Sequence, residues 1–252
     1  MNNTSASTGA PGSSAAKWAG RLLIAGVVLT VLSWLLSRPG LLGPFPTMMG
    51  YTLGSLLLII TGILAIVSLV RGKDSGAAKP MTWAALAGGT LCIINTLMYM
   101  GSAGGSAPIH DISTDTTNPP QFDAVIALRG DGANPPEYSG PEAAALQAEA
   151  YPDIQTVVLR DPADFVFESA VTVSEEMGWE IVAQDIDTGH IEATATTPFV
   201  GFKDDVVIRV RANGPETMVD VRSKSRIGGG DAGVNAKRIR KYSARLVEFV
   251  EP

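Results

Sequence analysis

Cysteine, histidine and, over the first hundred residues, acid are what this chain has little of. Its single cysteine, Cys92, allows no disulfide within the chain, so cysteine usage is silent about the redox compartment. A zinc site needs three or four ligands, and there are only two histidines, His110 and His190, the second in a stretch that reads as a turn. No cysteine occurs after residue 102 and no serine sits in a Gly-x-Ser-x-Gly elbow, which leaves nucleophilic catalysis without an obvious nucleophile. The first 102 residues contain one acid, Asp74, against six Lys/Arg. The remainder carries 24 acids against 13 Lys/Arg, a net charge of −11. Such a domain repels nucleic acid, whose affinity comes mainly from phosphate neutralisation, so a nucleic-acid partner is not expected.

What is present begins with three uncharged runs, Leu22–Ser37, Met48–Val70 and Met81–Met100. About 20 apolar residues cross roughly 30 Å of hydrocarbon. The second and third runs meet that length, and the first does once Trp18, Ala19 and Gly20 extend it and Arg21 snorkels to the headgroups. Helices of a soluble core nearly always show a charged face, and these have none. The runs therefore predict transmembrane helices over about 18–37, 48–70 and 81–100, within a membrane region 17–102. Residues 1–16 are small and polar and predict a disordered start.

Orientation follows from Lys and Arg. Lys17 and Arg21 precede the first run, and Arg71, Lys73 and Lys79 separate the second from the third. Only Arg38 lies in the proline-stiffened connection 38–47. Both richer segments are expected in the cytoplasm, which places the C-terminal domain of a multi-pass inner-membrane protein in the periplasm. Trp34, Tyr51, Trp83 and Tyr99 lie near run ends, where amphipathic rings favour the interface. Small-x-x-x-small pairs at Gly50/Gly54, Ala84/Gly88 and Ala85/Gly89 allow close helix approach. They suit packing among the three helices or, at the Gly50/Gly54 and Ala84/Gly88 faces, a membrane-protein partner beyond the lipid itself. Asn95 lies inside the third run and needs a partner, with Thr61 or a backbone carbonyl as the expected one.

Residues 101–108 read as a flexible linker. The domain 103–252 then divides into a proline-rich irregular arm, about 109–150, and a regular core, about 155–250. Within the arm, 125–128 reads as a short strand and 141–150 as a helix. In the core, 156–159 reads as a strand. Asp161 and Pro162 open a helix whose apolar positions from Ala163 to Met177 recur at helical spacing, and Trp179 is expected to fold back over it. Alternation then predicts strands about Ile181–Ala183, Ile191–Ala195, Val206–Arg211 and Val219–Lys224, with turns at Thr188-Gly189 and Asn213-Gly214-Pro215. Asp231 caps a last helix to about Val250. The order strand, helix, four strands, helix predicts an α+β fold, an antiparallel sheet with both helices on its apolar face and its other face wet. The order is similar to helix-grip folds.

Candidate chemistry concentrates in two places. One is the polar stretch holding His110, Asp111, Thr114, Asp115 and Asn118. Asp111-x-Ser113-x-Asp115 matches the start of a calcium loop, but position six is Thr116 rather than Gly and position twelve is Phe122 rather than Glu, so that motif is rejected and no metal or cofactor is expected. Such residues also hold irregular loops by bonding to neighbouring backbone. The other place is cationic. Arg209 and Arg211 project one way from their strand, as do Arg222, Lys224 and Arg226 from the next, so in a hairpin they share a face. They either pair with acids such as Asp204, Asp205 and Asp220, or anchor the acidic 109–122 stretch or an acidic ligand, joined by Asn235, Lys237 and Arg238. Gly228-Gly229-Gly230-Asp231 before the last helix lacks the Gly-Lys-Ser/Thr ending of a phosphate loop and reads as a turn plus cap.

These residues carry a resemblance. Ile109-His110-Asp111-Ile112-Ser113-Thr114-Asp115, Asn118-Pro119-Pro120-x-Phe122, Asn134-Pro135-Pro136-x-Tyr138, Gly178-Trp179-Glu180-Ile181-Val182, Gly201-Phe202-Lys203-Asp204-Asp205-Val206-Val207-Ile208-Arg209, Asp220-Val221-Arg222-Ser223-x-Ser225-Arg226 and Gly233-x-Asn235-x-x-Arg238-Ile239 occur in order. Over roughly residues 105–250 the chain resembles the family called domain of unknown function 1499. The resemblance implies a membrane-tethered domain and supplies no activity. Three readings follow. The first is a non-catalytic membrane-anchored binding domain. The second is a hydrolase-like enzyme or metalloprotein using His110, Asp111 and Asp115 against Arg209, Arg222 and Arg226. The third is an assembly factor for a membrane complex.

Overall fold

A computed structural model describes residues 14–38, 41–70, 79–103, 106–198 and 200–251. The chain forms two compact units, Met1–Met100 and Gly101–Pro252. The expected disorder of residues 1–13 and the basic connection 71–78 lie outside the described residues, as do the side chains of Lys17, Lys79 and Tyr99.

The first unit consists of α1 (Ser14–Ser37), α2 (Pro44–Val70) and α3 (Lys79–Ala103). Helix α1 starts inside the segment expected to be disordered, and α3 runs three residues into the expected linker. All three are long and apolar enough to cross a membrane. Several of their hydroxyls are satisfied within their own helix: Thr30 Oγ1 donates to the Gly26 carbonyl at 2.9 Å, Ser33 Oγ to Leu29 at 2.7 Å and Thr61 Oγ1 to Leu57 at 2.7 Å. Without water, an unpaired hydroxyl would be costly. Two glycines of α2, Gly50 and Gly54, are spent on α1. A Cβ at Gly50 would lie 1.9 Å from Ser33 Oγ, and one at Gly54 would lie 2.2 Å from Thr30 Oγ1. The expectation that Gly50/Gly54 meets another protein is therefore corrected: α1 already occupies that face. Gly62 and Gly89 bring α2 and α3 together, a Cβ on Gly89 falling 3.2 Å from Gly62 Cα. Asn95 does not pair with Thr61; its Oδ1 accepts from Tyr51 Oη at 3.0 Å. Arg21 stacks over Trp18 at 5.2 Å, folded toward the helix start as snorkelling requires.

The second unit is α+β. In chain order it contains β1 (Asp111–Ser113), a 3-10 helix (Ala124–Leu128), α4 (Gly140–Ala150), β2 (Val157–Leu159), α5 (Ala163–Glu176), β3 (Glu180–Asp185), β4 (His190–Thr196), β5 (Lys203–Asn213), β6 (Glu216–Ser225) and α6 (Val234–Val250). The sheet is antiparallel throughout, in the order β1-β6-β5-β4-β3. Strand β2 joins β6 on the same edge as β1, further along: β1 meets residues 222–224 and β2 meets 217–219.

One face of the sheet carries Ile191 and Ala193 of β4, Val206 and Ile208 of β5, and Val219 and Val221 of β6, all fully buried. Helices α5 and α6 cover it with Val166, Ala170 and Val173 from the first and Ile239, Tyr242 and Leu246 from the second. Trp179 stacks on Tyr242 with ring centroids 5.0 Å apart, and Tyr242 Oη donates to the Ala170 carbonyl at 2.8 Å. The helix starts differ by a residue or more from expectation. Pro162, not Asp161, is the N-cap of α5. Gly233 is the N-cap of α6 in a left-handed conformation, and Asp231 caps from outside by accepting the Gly233 and Asn235 N–H groups at 2.8 and 2.6 Å.

The other face is not wet, against expectation. Glu192, Thr194, Asp205, Val207, Asp220, Arg222, Lys224 and Arg226 point to it and are buried. The arm 114–139 lies over them. A small apolar cluster of Phe122, Val125 and Val207 sits between, but polar bonds make most of the layer.

Candidate functional site

The strand register builds this polar layer. Antiparallel partners share a face, and β5 pairs with β6 as Asp205↔Lys224, Val207↔Arg222 and Arg209↔Asp220. Strand β1 adds Asp111 beside Lys224. Alternation thus lays acids and bases in adjacent rows, so most of the cations meet an acid before any loop arrives.

Asp111 and Arg222 form its centre, both with fully buried side chains. Arg222 Nε donates to Asp111 Oδ1 at 2.9 Å and Nη2 to Oδ2 at 3.1 Å, the two-pronged geometry that a carboxylate and a guanidinium share. Two more guanidinium protons go to the Pro120 carbonyl at 3.0 Å and the Pro136 carbonyl at 2.9 Å. The plane is sandwiched between Phe122 at 4.6 Å and Tyr138 at 5.4 Å. Lys224 Nζ lies 3.1 Å from Asp111 Oδ2 and donates to the Glu137 carbonyl at 2.5 Å. Burial alone would raise the Asp111 pKa, but hydrogen bonds and charge from Arg222, with Lys224 behind, hold it below the ordinary carboxylate value. Burial and the Asp111 charge push the Tyr138 phenol up to about 12. The two Pro-Pro corners are therefore tied to the sheet through carbonyls, the one backbone group proline keeps.

Around this centre the pattern repeats. Arg226 grips Asp205 through Nε and Nη2 at 2.7–3.1 Å and reaches the Leu128 carbonyl at 2.8 Å. Arg129 of the arm closes on the same carboxylate at 2.5 Å. Arg209 bonds Asp220 at 2.8 Å, Asp115 at 3.1 Å and the Asn118 carbonyl at 2.9 Å. Arg211 meets Asp220 at 2.6 Å. Asp220 is buried, which would raise its pKa, yet Thr156, Arg209 and Arg211 bring it below its ordinary value. Asp115 also accepts the backbone N–H groups of Thr117 and Asn118 at 3.1 and 2.8 Å, and Thr114 Oγ1 accepts the Val221 N–H at 2.9 Å.

The rest of the sequence candidates lie elsewhere. Asp204 faces the helices and pairs with Arg238 at 2.6 Å. Asn235 is fully buried under the start of α6, bonded to Ser223, Ser225 and the His110 carbonyl. Arg238 joins it through Asn235 and Ser223. The His110 ring points away from Asp111, its Nδ1 3.4 Å from the Gly229 carbonyl. Lys203 is exposed. His110, Asp111 and Asp115 therefore do not converge on one pocket, and among the described residues no group of three His, Cys, Asp or Glu is placed to hold a metal ion. A shallow cleft of about 320 Å³ lies apart from them, between the start of α5 and the β3–β4 turn.

Three contributors escaped the sequence reading. Glu192, fully buried, accepts the N–H groups of Asp123, Ala124 and Val125 at 2.9–3.0 Å and bonds His190 Nε2 at 2.8 Å. Burial would raise its pKa; His190 and the three amides lower it. Gln147 of α4 closes the outer edge of β1 with both ends of its amide, accepting the Ser113 N–H at 3.0 Å and donating to the Ser113 carbonyl at 2.6 Å. Arg129 is the third. The signal available for Glu192 was a lone acid flanked by Ile191 and Ala193; nothing local marks Gln147 or Arg129.

A family model described as "Protein of unknown function (DUF1499)" matches residues 111–246. The chain belongs to that family. The DUF1499 match starts at Asp111 and ends in α6, so it contains the sheet, both covering helices and the arm, and excludes α1, α2 and α3. Comparison with curated proteins gives no match.

Proposed function

We propose that this is a multi-pass protein of the inner membrane whose DUF1499 domain stands in the periplasm as a non-catalytic binding module. The membrane part is supported by three helices long and apolar enough to cross a bilayer. The side is supported by Lys and Arg, which favour the segments before the first span and between the second and third.

The observation that carries the non-catalytic reading is the Asp111–Arg222 pair. A general acid, a base or an anion-binding arginine has to offer a free atom to its substrate. Both carboxylate oxygens of Asp111 and four of the five N–H donors of Arg222 are consumed, without solvent exposure, in holding the arm to the sheet. His110, Asn118 and Lys203 remain outside, and a protein partner or small ligand is to be sought there.

Two measurements test the reading. A reporter active only in the periplasm, fused after Pro252, is expected to be active, and a cytosol-active one silent; the reverse pattern refutes the sidedness. Asp111→Asn is expected to lower the unfolding temperature. An Asp111→Asn protein that melts normally yet loses a hydrolytic activity of the wild type would establish the enzyme reading instead.

A further inference from the structure

We propose that the end of the α+β domain formed by the β4–β5 connection, residues 197–202, rests in the headgroup region of the bilayer that the three helices cross. The meander sends its connections alternately to opposite ends of the sheet. The β3–β4 and β5–β6 turns share one end and are acidic, with Asp185 and Asp187 at the first and Glu216 at the second. The β4–β5 connection has the other end, and Thr196 to Phe202 carries no charge. Pro198 is exposed and Val200 half-buried. The loop also keeps its backbone bonds to itself. The Thr197 N–H donates to the Phe202 carbonyl at 2.8 Å, Val200 to Pro198 at 2.9 Å and Gly201 to Thr197 at 3.1 Å. Pro198 has no N–H to offer. Such a loop leaves water at little cost, whereas the carboxylates of the two acidic turns would lose their hydration.

The course of the chain decides which surface this end meets. Strands β5, β6 and β1 have their ends together here: the Arg226 N–H donates to the Lys203 carbonyl at 3.1 Å and the Ser225 N–H to the His110 carbonyl at 2.9 Å. About two strand spacings, roughly 10 Å, therefore separate the β4–β5 connection from the segment by which the chain enters the domain. That segment is fixed to the domain. The Ala107 N–H donates to Tyr151 Oη at 3.2 Å, and a Cβ on Gly233 would lie 3.4 Å from Ser106 Cβ. Only Gly104 and Gly105 stand between Ser106 and the last residue of α3. Those three steps reach about 11 Å at most. Helix α3 runs five residues past the apolar span that ends at Met98, about 7.5 Å more. The headgroups fill about 5–7 Å of that distance. The acidic turns lie a further strand length away, since β5 has 11 residues, about 34 Å. Leu128, 52% exposed, comes to the lipid end through the bond from Arg226 Nη1 to its carbonyl at 2.8 Å. Lys203 is exposed there and its stem lets the ammonium reach a phosphate. Asp131 and Glu180 stand at this end too, so the contact is apolar and does not depend on anionic lipid. The proposal rests on the three helices crossing a bilayer, not on which side the DUF1499 domain occupies.

The test uses the full chain in a Cys92→Ser background, reconstituted into phosphatidylcholine vesicles that carry a nitroxide near the headgroup end of the acyl chain. A nitrobenzoxadiazole probe on Val200→Cys is expected to show a blue-shifted emission that the nitroxide quenches. The same probe on Glu216→Cys, at the acidic end, is expected to keep a water-like emission and lose none of it. Leu128→Cys should be quenched as well, and adding Val200→Asp should relieve that quenching. Equal quenching at Val200→Cys and Glu216→Cys, or quenching at Leu128→Cys that Val200→Asp leaves unchanged, overturns the contact. So does a chain that enters the vesicles with no quenching at Val200→Cys, and the spanning helices then stand. A chain that stays out of the vesicles overturns the spanning helices themselves.

Discussion

Arg222 and Asp111 separate two kinds of ion pair within one domain. Arg240 and Asp153 make a shorter contact, 2.5 Å against 2.9 Å, but their side chains are 41% and 53% exposed. An exposed pair contributes about 0–1 kcal/mol, because water competes for both partners. Removing one member of a buried pair strands the other charge and costs about 3–5 kcal/mol. Asp111→Asn, which preserves shape, is therefore expected to destabilise the domain by about 3–5 kcal/mol, and Asp153→Asn by about 1 kcal/mol at most. Thermal unfolding of the two variants in one detergent buffer checks the contrast; similar midpoints would show that the polar layer holds nothing. Gly189 is a second single-residue test. Its φ is +64°, and a Cβ there would lie 2.0 Å from the Val210 carbonyl oxygen, with no side chain able to move aside. Gly189→Ala is expected to cost about 2 kcal/mol or more, whereas Gly214→Ala, with the same backbone sign and open space around it, should cost about 1 kcal/mol. The need for glycine at 189 was readable as a turn; the approach of Val210 was not.

At the scale of elements, local pattern succeeded where one face of an element meets the apolar core. The spacing from Ala163 to Met177 became α5, the alternation over β3 to β6 became a meander, and Asn213-Gly214-Pro215 became its hairpin turn. It failed where a distant side chain decides. Val125 to Leu128 has strand-like composition, yet forms a 3-10 helix, because the Glu192 carboxylate gathers three successive amides and only a helical turn points three N–H groups one way. Asp111 to Ser113 reads as loop, yet forms β1, because β6 offers a free edge and Gln147 closes the other side. Glu192→Gln removes the charge and one of the acceptor oxygens. Bonds to a charged group contribute about 1.5–3 kcal/mol each, so amide hydrogen exchange at 123–125 is expected to accelerate by roughly ten- to a hundred-fold. Exchange in β5 and β6, whose own ladder is untouched, should stay within a few-fold. A uniform acceleration would mean that the arm and the sheet open together.

At the scale of the whole molecule, composition divided the chain correctly into an apolar, weakly basic part and an acidic α+β part, since those properties sum over many residues and need no partner. The closed polar layer was illegible for the opposite reason: alternating acids and bases look alike whether water or a loop covers them. That cover has a consequence for acid stability. Asp111, Glu192 and Asp220 all titrate below their ordinary values in the folded domain. In the unfolded chain such groups titrate near about 4. A carboxyl with a depressed folded value contributes stability that is complete above the unfolded value and disappears as pH falls through the folded one. Asp231 acts in the other direction, because burial raises its pKa and its ionisation opposes folding as pH rises, but it is one group against three. The unfolding temperature of the α+β domain, followed in the full-length protein, should therefore be level from neutrality down to about pH 5 and fall steeply below about pH 4. In Asp111→Asn the whole curve should lie lower and its acid limb should be shallower, since one of the three protons no longer binds. A decline beginning near pH 6, above the carboxylate range, would mean that the buried carboxylates are not what fastens the arm.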